Sequence, residues 1–469
     1  MSESIAEMVL PGTYVEVRAE GLIGVGAIST GNIGIVGTAA GGPVDEVVSL
    51  GSYSDALDLF GAYDPLSNPT EAGSPLTLTR ALEQVFAGGG SSLFAVRAAN
   101  GTPTTASLAV QASGAQPAFT LTAKGAGTWG RAIHVVVTSS TVDATTTFRM
   151  TITYRNIREV YEGETVNAIH ARLGESRLVT VGAAQNGGAG LELVDTELGG
   201  GSDGAAVTTI DLARSLAVLE DQPVNIVLVG GGAANVVGNI LLTHLERTEN
   251  DGKERIALVG AQSSGTASAA ADVLANAGAL SDDRVVLCAP GMVATDAASG
   301  SPVVLPPAYT AAVVAGKLAT LAPHISLTNK QVPITPDVRY GTTLAKTLLQ
   351  NRVLVVRQKI GAQVIKGITT APKPFDQISI RRIVDYAKAG VRSGSDPYIG
   401  RLNNVRVRAA LKATLDGFLS QMVLDEMLTE YQLDVSATRA QEIAGIASVV
   451  MTLKPTFSID FIRVTMNLE

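Results

Sequence analysis

Short apolar runs separated by helical patterns are the feature that most constrains the fold of this chain. Between residues 206 and 385, strand-like runs lie at 224–229, 255–259, 285–288 and 353–356. Helical patterns alternate with them, at 209–220, 236–247, 267–278 and 310–320. Strands that alternate with helices of this length indicate a mostly parallel sheet, because parallel neighbours are joined by crossover connections. Residues 206–385 are therefore predicted to form an α/β core.

A related α/β pattern occurs nearer the N-terminus. Strands are predicted at 32–37 and 93–97, and two helices are predicted between them at 53–60 and 75–87. Three glycines at 88–90 follow the second helix, as glycine commonly does at a helix C-cap. We therefore expect residues 23–100 to form a first part of the α/β core.

Residues 101–205 differ in composition from both parts of the core. They are rich in Thr, Ala, Ser and Gly, contain the only Trp of the chain, and alternate at 133–137 and 148–154. Alternation of this kind predicts strands with one buried face. The segment is therefore predicted to be a β-rich insertion domain.

The C-terminal residues, 386–469, are predicted to form an α+β domain. Apolar positions near 3.6-residue spacing predict a long helix over 404–430. Strands are predicted at 446–453 and 456–468. The fold class expected for the whole chain is thus α/β and multidomain.

An irregularity in the last predicted strand suggests that its two halves have different partners. Phe457, Ile459 and Phe461 alternate in one phase, and a second set alternates in the other phase: Ile462, Val464, Met466 and Leu468. A shift of one residue sends side chains to the opposite face of a sheet. We expect residues 462–469 to form an extended arm whose second set of side chains contacts another subunit.

A second candidate arm lies in residues 1–22. Residues 13–18 alternate as a strand with no hairpin partner nearby. Such a strand either joins the sheet of its own domain or pairs with another chain. The candidate contact residues are Thr13, Tyr14, Val15 and Val17.

The composition leaves little material for catalysis or metal binding. Aromatic residues are 4% of the 469 residues, and there are four His and a single Cys, Cys288. One cysteine excludes an intramolecular disulfide framework and a cysteine-rich zinc site. The formal net charge of −8 argues against general binding to nucleic acid or anionic membranes. We expect no cofactor, no metal, no direct nucleic-acid contact and no membrane insertion.

Enzyme and targeting motifs fail on inspection. Three glycines at 230–232 follow a strand, but a dinucleotide loop requires glycine where Asn235 stands. Leu318 follows Gly316-Lys317, whereas a phosphate loop requires Ser or Thr there. The N-terminus carries acids where a signal peptide needs basic residues. We expect a non-enzyme that is made in a cytoplasm.

Several phrases occur in a characteristic order along the chain. They are PGTYVE at 11–16, IVGTAAGGPV at 35–44, AVR at 95–97, AKGAGTWG at 123–130, LGGGSDG at 198–204, VLPPA at 304–308, VAG at 314–316 and IRRI at 380–383. Their order resembles that of the contractile tail sheath family of bacteriophages and related injection systems. Residues 350–370 are only loose counterparts of that family's pattern.

The resemblance implies a mechanical function. Subunits would form stacked six-membered rings around an inner tube, with terminal strands that complete the sheets of neighbours, and contraction would drive the tube through the target cell envelope. The implied partners are other copies of this chain, the inner tail tube protein, and baseplate and tail terminator proteins. The implied location is the virion tail, after synthesis and assembly in the bacterial host cytoplasm.

Two other functions remain open. The family's core is described as subtilisin-like, so a serine hydrolase is one alternative. Residues Gly265 to Ala269 weakly resemble the region of a hydrolase nucleophile. No HGTH-like phrase accompanies it, although a triad needs a His and an Asp within reach. A non-contractile virion assembly protein is the other alternative.

Charge is unevenly distributed in the C-terminal domain. Residues 381–412 contain eight basic and two acidic residues, whereas residues 413–442 contain six acidic residues and one Arg. Related sheaths place this domain innermost, so some basic residues are expected to face an acidic tube. The candidates are Arg401, Arg406, Arg408 and Lys412. A solvated face or pairing within the domain is the alternative.

Overall fold

The computed structural model describes residues 28–64, 75–142, 145–262, 268–296 and 299–467. These residues form two compact units. The larger unit comprises residues 31–320 and 328–373. The smaller unit comprises residues 321–327 and the C-terminal residues from 374 onward, together with residues 28–30. The candidate N-terminal arm, residues 1–22 with Thr13, Tyr14, Val15 and Val17, lies outside the described residues.

The larger unit contains most of the secondary structure. Its first elements are β1 (Ile33–Gly37), β2 (Val47–Leu50), α1 (Tyr53–Phe60), α2 (Leu78–Gly88) and β3 (Leu93–Arg97). Next come β4 (Thr104–Ala112), β5 (Gln116–Ala123), β6 (His134–Val142), β7 (Thr145–Tyr154), β8 (Ile157–Gly163), α3 (Val166–Leu173), β9 (Val179–Val181), β10 (Val194–Glu197) and β11 (Gly199–Ser202). The remainder are α4 (Thr209–Val218), β12 (Ile226–Val229), α5 (Ala234–Asn250), β13 (Ile256–Gly260), α6 (Ala270–Ala277), β14 (Val285–Ala289), β15 (Met292–Thr295), β16 (Pro302–Leu305), α7 (Pro307–Ala319), β17 (Gln331–Val332), β18 (Thr335–Pro336), α8 (Thr342–Gln350), β19 (Val353–Lys359) and β20 (Gly361–Val364).

A nine-stranded sheet forms the centre of the larger unit. Its strand order is β17-β20-β19-β14-β13-β12-β1-β3-β2, and the strands from β19 to β3 are parallel. Every residue of β1, β12, β13 and β14 is buried, because helices cover both faces of a parallel sheet. The mostly parallel α/β core expected from the strand and helix alternation is confirmed.

The segment from β4 to β11 forms two antiparallel four-stranded sheets. Their orders are β10-β6-β7-β8 and β11-β4-β5-β9. Leu121, Val135 and Ile152, with the other inward side chains of both sheets, form one continuous apolar core. The β-rich character predicted for residues 101–205 is therefore observed.

An ion pair between buried Arg97 and partly buried Asp203 lies where this β-rich segment leaves and re-joins the central sheet. Arg97, at the end of β3, donates hydrogen bonds to the carbonyl oxygens of Gly42 (2.8 Å) and Ala126 (2.7 Å) and to Oδ1 of Asp203 (3.1 Å). Asp203 also accepts hydrogen bonds from the backbone nitrogen (2.9 Å) and hydroxyl (2.7 Å) of Thr128. One guanidinium thus joins the central sheet to both connections of the insertion.

Two glycines bring helices α2 and α7 into close contact. A Cβ atom on Gly316 would lie 2.1 Å from the carbonyl oxygen of Val85, and one on Gly88 would lie 2.2 Å from that of Val313. Backbone atoms on both sides prevent a side chain from being accommodated at either position. The VAG phrase at 314–316 therefore has a packing role in the structure.

We expect Gly316→Ala to destabilise the larger unit by about 1–3 kcal/mol, because overpacking forces the backbones apart. Thermal unfolding followed by calorimetry should show a lower transition temperature. Gly417→Ala is the matched control, since a Cβ there would meet nothing within 4 Å. An equal transition temperature for Gly316→Ala and wild type would contradict the packing role.

The smaller unit combines helices with a β-hairpin. Its elements are α9 (Ile378–Ser395), α10 (Val405–Leu424), β21 (Leu428–Ser436), α11 (Arg439–Ile443) and β22 (Ser448–Pro455). Its core contains Ile383 of α9, Leu419 of α10 and Leu428 of β21. The hairpin strands are antiparallel, with Leu433 opposite Met451 in the register.

Three sequence predictions differ from the structure in this unit. The helix predicted over 404–430 ends at Leu424, because Glu426 adopts a left-handed conformation (φ 60°) that stops it. The strand predicted at 446–453 corresponds to β22, but residues 456–467 form no strand. The boundary placed before residue 386 falls inside α9, and the compact unit begins at Pro374.

Candidate subunit interfaces

The residues after β22 form a tail that presents apolar side chains to solvent. Its large apolar side chains are between 57% and 86% exposed: Phe457, Ile459, Phe461, Ile462, Val464 and Met466. A monomeric soluble protein rarely leaves so much contiguous apolar surface uncovered. The tail is therefore a candidate contact surface. Ile462, Val464 and Met466 of the predicted arm belong to it, and Leu468 lies outside the described residues.

The first half of the tail is held against the smaller unit by polar side chains. Gln377 accepts from the backbone nitrogen (3.4 Å) and hydroxyl (3.3 Å) of Ser458, and its Nε2 donates to Asp460 Oδ2 (3.1 Å). Phe457, Ile459 and Phe461 therefore point outward while Ser458 and Asp460 face the unit. From residue 461 onward every described residue is exposed. The change of alternating phase coincides with the end of this tether.

The hairpin of β21 and β22 provides open strand edges in the same unit. It is a two-stranded sheet, and neither outer edge is paired within the part of the chain that the structure describes. Three hairpin side chains pack against the core of this unit but are only partly buried: Tyr431, Leu433 and Met451. Two strands alone are marginally stable in water, and unpaired edges are templates for an added strand. The hairpin is thus suited to accept strands from elsewhere.

The four basic candidates occupy different environments. Arg408 donates to Glu442 Oε1 (3.0 Å) and to Asn403 Oδ1 (2.8 Å), so it pairs within its own unit. Arg401 donates to the carbonyl oxygen of Pro397 (2.9 Å) and is exposed. Arg406 and Lys412 are exposed on α10. Pairing within the domain therefore describes Arg408, and the side chains of Arg401, Arg406 and Lys412 are exposed.

Two other arginines of the basic stretch have structural contacts. Buried Arg382 donates to the carbonyl oxygens of Thr30 (3.1 Å) and Leu321 (2.9 Å), and burial lowers its pKa to about 10. Arg381 forms an ion pair with Asp385 at 2.8 Å. The IRRI phrase at 380–383 thus stabilises the smaller unit, and only part of the basic excess is available to a partner.

Ser268, in the segment that resembles a nucleophile region, contacts backbone groups and a carboxylate among the described residues. Its backbone nitrogen donates to Asp337 Oδ2 (2.8 Å), and its buried hydroxyl accepts from the backbone nitrogen of Gly291 (2.8 Å). The buried histidine of the same unit, His244, instead accepts a hydrogen bond from Arg255 (3.1 Å). Burial and the Arg255 charge lower the pKa of His244 to about 3, which keeps the ring neutral. Ser268 therefore serves to fix a loop.

The described residues contain neither a cluster of metal ligands nor a membrane-spanning helix. No group of three or more His, Cys, Asp or Glu in the described ranges is placed to hold a metal ion. Among the helices that the structure describes, none is both long and apolar enough to cross a membrane.

Sequence comparison agrees with the resemblance drawn from the ordered phrases. Residues 370–469 match the family model of the phage tail sheath C-terminal domain. A tail sheath protein of Mycobacterium phage Bxz1 is 24% identical over 277 residues, which cover 56% of this chain and 46% of that protein. The match therefore spans about half the length of this curated relative.

Comparison with solved structures extends the likeness to nearly the whole chain. A sheath tail protein from Desulfitobacterium hafniense has a TM-score of 0.67 at 18% identity, covering 95% of this chain and 100% of that one. The helical sheath of the anti-feeding prophage in its contracted state has a TM-score of 0.56 at 14% identity, covering 98% and 100%. The resemblance to contractile tail sheath proteins and the α/β multidomain fold expected with it are confirmed.

Proposed function

We propose that this chain is the structural subunit of a contractile tail sheath, which polymerises as stacked six-membered rings around an inner tube. The observation that carries the proposal is the exposed apolar tail beside a two-stranded sheet with open edges. Each copy thus offers a strand and a place for a strand. This combination permits an unlimited chain of identical contacts between copies.

The contact between copies is strand addition. Backbone hydrogen bonds attach the tail of one copy to the open hairpin edge of another, and alternate side chains provide apolar contacts. Each hydrogen bond contributes about 0.5–1.5 kcal/mol net, so the binding free energy from a single arm is modest. Many arms that act together form a mesh that resists separation. Residues 1–22 are proposed as a second arm of the same kind.

Contraction requires that the arms persist while the globular parts rotate. A flexible arm allows this, because its hydrogen bonds are independent of the tilt of the parts that it connects. The extended form is then kinetically trapped, and contraction releases its stored free energy to drive the tube through a cell envelope. The solved anti-feeding prophage sheath is contracted, which supports extending this behaviour to the present chain.

The proposed partners are other copies of this chain, the inner tail tube, and the baseplate and tail terminator proteins that cap the sheath. The proposed location is the virion tail, after synthesis in the bacterial cytoplasm. Electron microscopy of the purified chain tests the proposal directly. Ribbed helical tubes or six-fold rings are expected, and a chain that stays monomeric at all concentrations would contradict it.

The tube contact is proposed to involve the exposed basic residues of α10 and of the loop before it. Reversing Arg406 and Lys412 to Glu should lower co-assembly with inner tubes by about twofold to thirtyfold, at about 0.2–1 kcal/mol for each exposed charge. The difference in co-assembly between this variant and the wild type should become smaller as the salt concentration is raised, because screening weakens exposed charge pairs.

A control for this pair of reversals is a second pair at exposed positions of the β-rich insertion, Lys124→Glu and Arg177→Glu. It changes the net charge equally and should leave tube binding unaltered. Co-sedimentation with tubes at several salt concentrations measures both variants. Equal losses for both pairs would show that only net charge matters, which contradicts a tube contact at α10.

A further inference from the structure

A cluster of polar side chains joins helix α2 to two segments that pack against it. Arg80 of α2 is buried and donates to Asp296 Oδ1 (3.1 Å) and to the carbonyl oxygen of Asp64 (2.5 Å). Its guanidinium lies 3.9 Å from the centre of the Tyr63 ring. The Tyr63 hydroxyl donates to Oε2 of Glu83 (3.0 Å), which lies one turn further along α2. We call Tyr63, Arg80, Glu83 and Asp296 the α2 cluster.

The charges of the α2 cluster do not balance. Arg80 and Asp296 form an ion pair whose side chains are 2% and 3% exposed, so their two charges cancel. Glu83 adds a second carboxylate, which accepts hydrogen bonds from two neutral donors, the Tyr63 hydroxyl and Nε2 of Gln84 (3.3 Å). An ionised Glu83 therefore leaves one uncompensated negative charge in a partly buried place, and burial disfavours such a charge.

The groups that face the α2 cluster from other helices do not remove this charge. Tyr53 of α1 has a buried hydroxyl that has no hydrogen-bond partner in the described part of the chain. Burial and the Glu83 charge raise the pKa of Tyr53 above its usual range, and burial raises the pKa of Tyr309 of α7 to about 12. Both hydroxyls thus stay protonated at neutral pH. The other ionisable groups nearby are Asp64 beside Tyr63 and Arg155 in the turn after β7, whose charge acts on Tyr53.

A groove of about 500 Å³ connects Glu83 with solvent. Apolar side chains that include Met292, Val332 and Ile334 form much of its wall, and Glu83 is the ionisable residue among the described residues that line it. Burial is the main cause that raises the pKa of Glu83 above its ordinary value, against the lowering effect of the Tyr63 hydrogen bond and the Arg80 charge. Water in the groove can exchange a proton with the carboxyl group.

We propose that Glu83 acts as a proton-operated latch that fastens Tyr63 and the loop after β15 to α2. Its carboxylate takes one proton from water in the groove and becomes a neutral acid that stays hydrogen-bonded to Tyr63. The excess negative charge disappears, while Arg80 remains paired with Asp296. Loss of the proton restores the charge and weakens the same attachments. The latch goes beyond the proposed sheath function, because it operates within a single chain.

The direction of the pH dependence follows from linkage. The folded chain binds the Glu83 proton more tightly than the unfolded chain does, so proton uptake favours the folded state. This contribution to stability is fully present below the ordinary pKa of a glutamate. It is lost as the pH rises through the raised pKa of Glu83. The latch is therefore closed in mildly acidic solution and loosened in alkaline solution.

Glu83→Gln tests the latch, because the amide keeps the shape of the neutral acid and cannot ionise. Urea unfolding of the full chain at high dilution, between pH 4 and pH 8, compares this variant with the wild type. Its urea midpoint should be higher than that of the wild type at pH 8, and the difference should vanish towards pH 4. Glu46→Gln, at an exposed position of the same unit, is the control and should match the wild type throughout.

Hydrogen exchange locates the effect. At pH 8 the amides of residues 61–64 and 292–296 should open at least about twofold less often in Glu83→Gln than in the wild type. Tyr63→Phe removes the hydroxyl from the latch, so residues 61–64 should exchange rapidly at every pH. Unchanged protection in Tyr63→Phe would overturn the proposal, as would a Glu83→Gln midpoint that equals or falls below that of the wild type at pH 8. A gain in stability that is independent of pH, or spread evenly over the larger unit, would also overturn it.

Discussion

Removal of residues 462–469 is expected to abolish polymerisation while leaving the fold of the single chain intact. Ile462, Val464 and Met466 are more than 70% exposed, so their loss should change the free energy of unfolding by no more than about 0.5 kcal/mol. In a polymer the same side chains become buried, and each fully buried aliphatic side chain contributes about 1.5–3 kcal/mol. Because every copy loses one arm, the effect multiplies along the assembly.

Two further variants separate the backbone and side-chain contributions of the arm. Val464→Pro removes a backbone donor but keeps an apolar side chain, whereas Val464→Ser keeps the donor and removes the apolar contact. Both should weaken polymerisation if strand addition is the contact. Thr465→Ser is the matched control, because it keeps the backbone donor and the hydroxyl. Light scattering gives the critical concentration of each variant, and wild-type polymerisation by the truncated chain would contradict the arm.

The way in which the tail is attached to the smaller unit could not be predicted from the sequence pattern. The alternation of Phe457, Ile459 and Phe461 predicts a strand, and the structure shows none in residues 456–467. A strand needs a partner for its backbone groups, and among the described residues no strand pairs with residues 456–467. Gln377, which tethers Ser458 and Asp460, lies about eighty residues away in the chain and carries no pattern that marks it.

The central sheet was predictable because its signal is local. Val227 and Leu287 lie within uninterrupted apolar runs, which a strand buried on both faces requires. The strand Leu428–Ser436 was missed for the opposite reason. Leu428 continues the helical spacing of α10, and the end of that helix depends on the backbone conformation of Glu426. The alternation of Tyr431, Leu433 and Val435 was the signal that could have revealed it.

Candidate interface residues could be proposed from the sequence only where side-chain type alone marks them. Exposed Ile462 and Val464 stand in a clear alternating pattern, whereas Ile443 and Ile446, which are also exposed, are separated from exposed Leu402 by some forty residues. In the folded chain a hydrogen bond from Asn403 to the carbonyl oxygen of Ile446 joins these two segments. The charge sum likewise could not reveal that Arg408 is paired with Glu442, since ion pairing depends on tertiary contacts.

Asp203→Ala is expected to be the most destabilising single substitution considered for the larger unit. It leaves the fully buried guanidinium of Arg97 without its carboxylate, and removing one partner of a buried ion pair costs about 3–5 kcal/mol. Burial raises the pKa of Asp203, while hydrogen bonds from Thr128 and the charge of Arg97 oppose that rise. Those contacts therefore hold the carboxylate at a partly buried position, and both connections of the insertion depend on it.

Asp195→Ala is the matched control, because Asp195 lies in the same β-rich segment, pairs with His134 at 2.8 Å and is largely exposed. An exposed pair of this kind contributes about 0.2–1 kcal/mol. Calorimetry should show a much larger loss for Asp203→Ala, and hydrogen exchange should rise first at residues 125–130 and 198–204. The location of the first amides to exchange is as informative as the size of the stability loss. If protection instead falls uniformly across the central sheet, the ion pair stabilises the core in general and does not fix the insertion upon it.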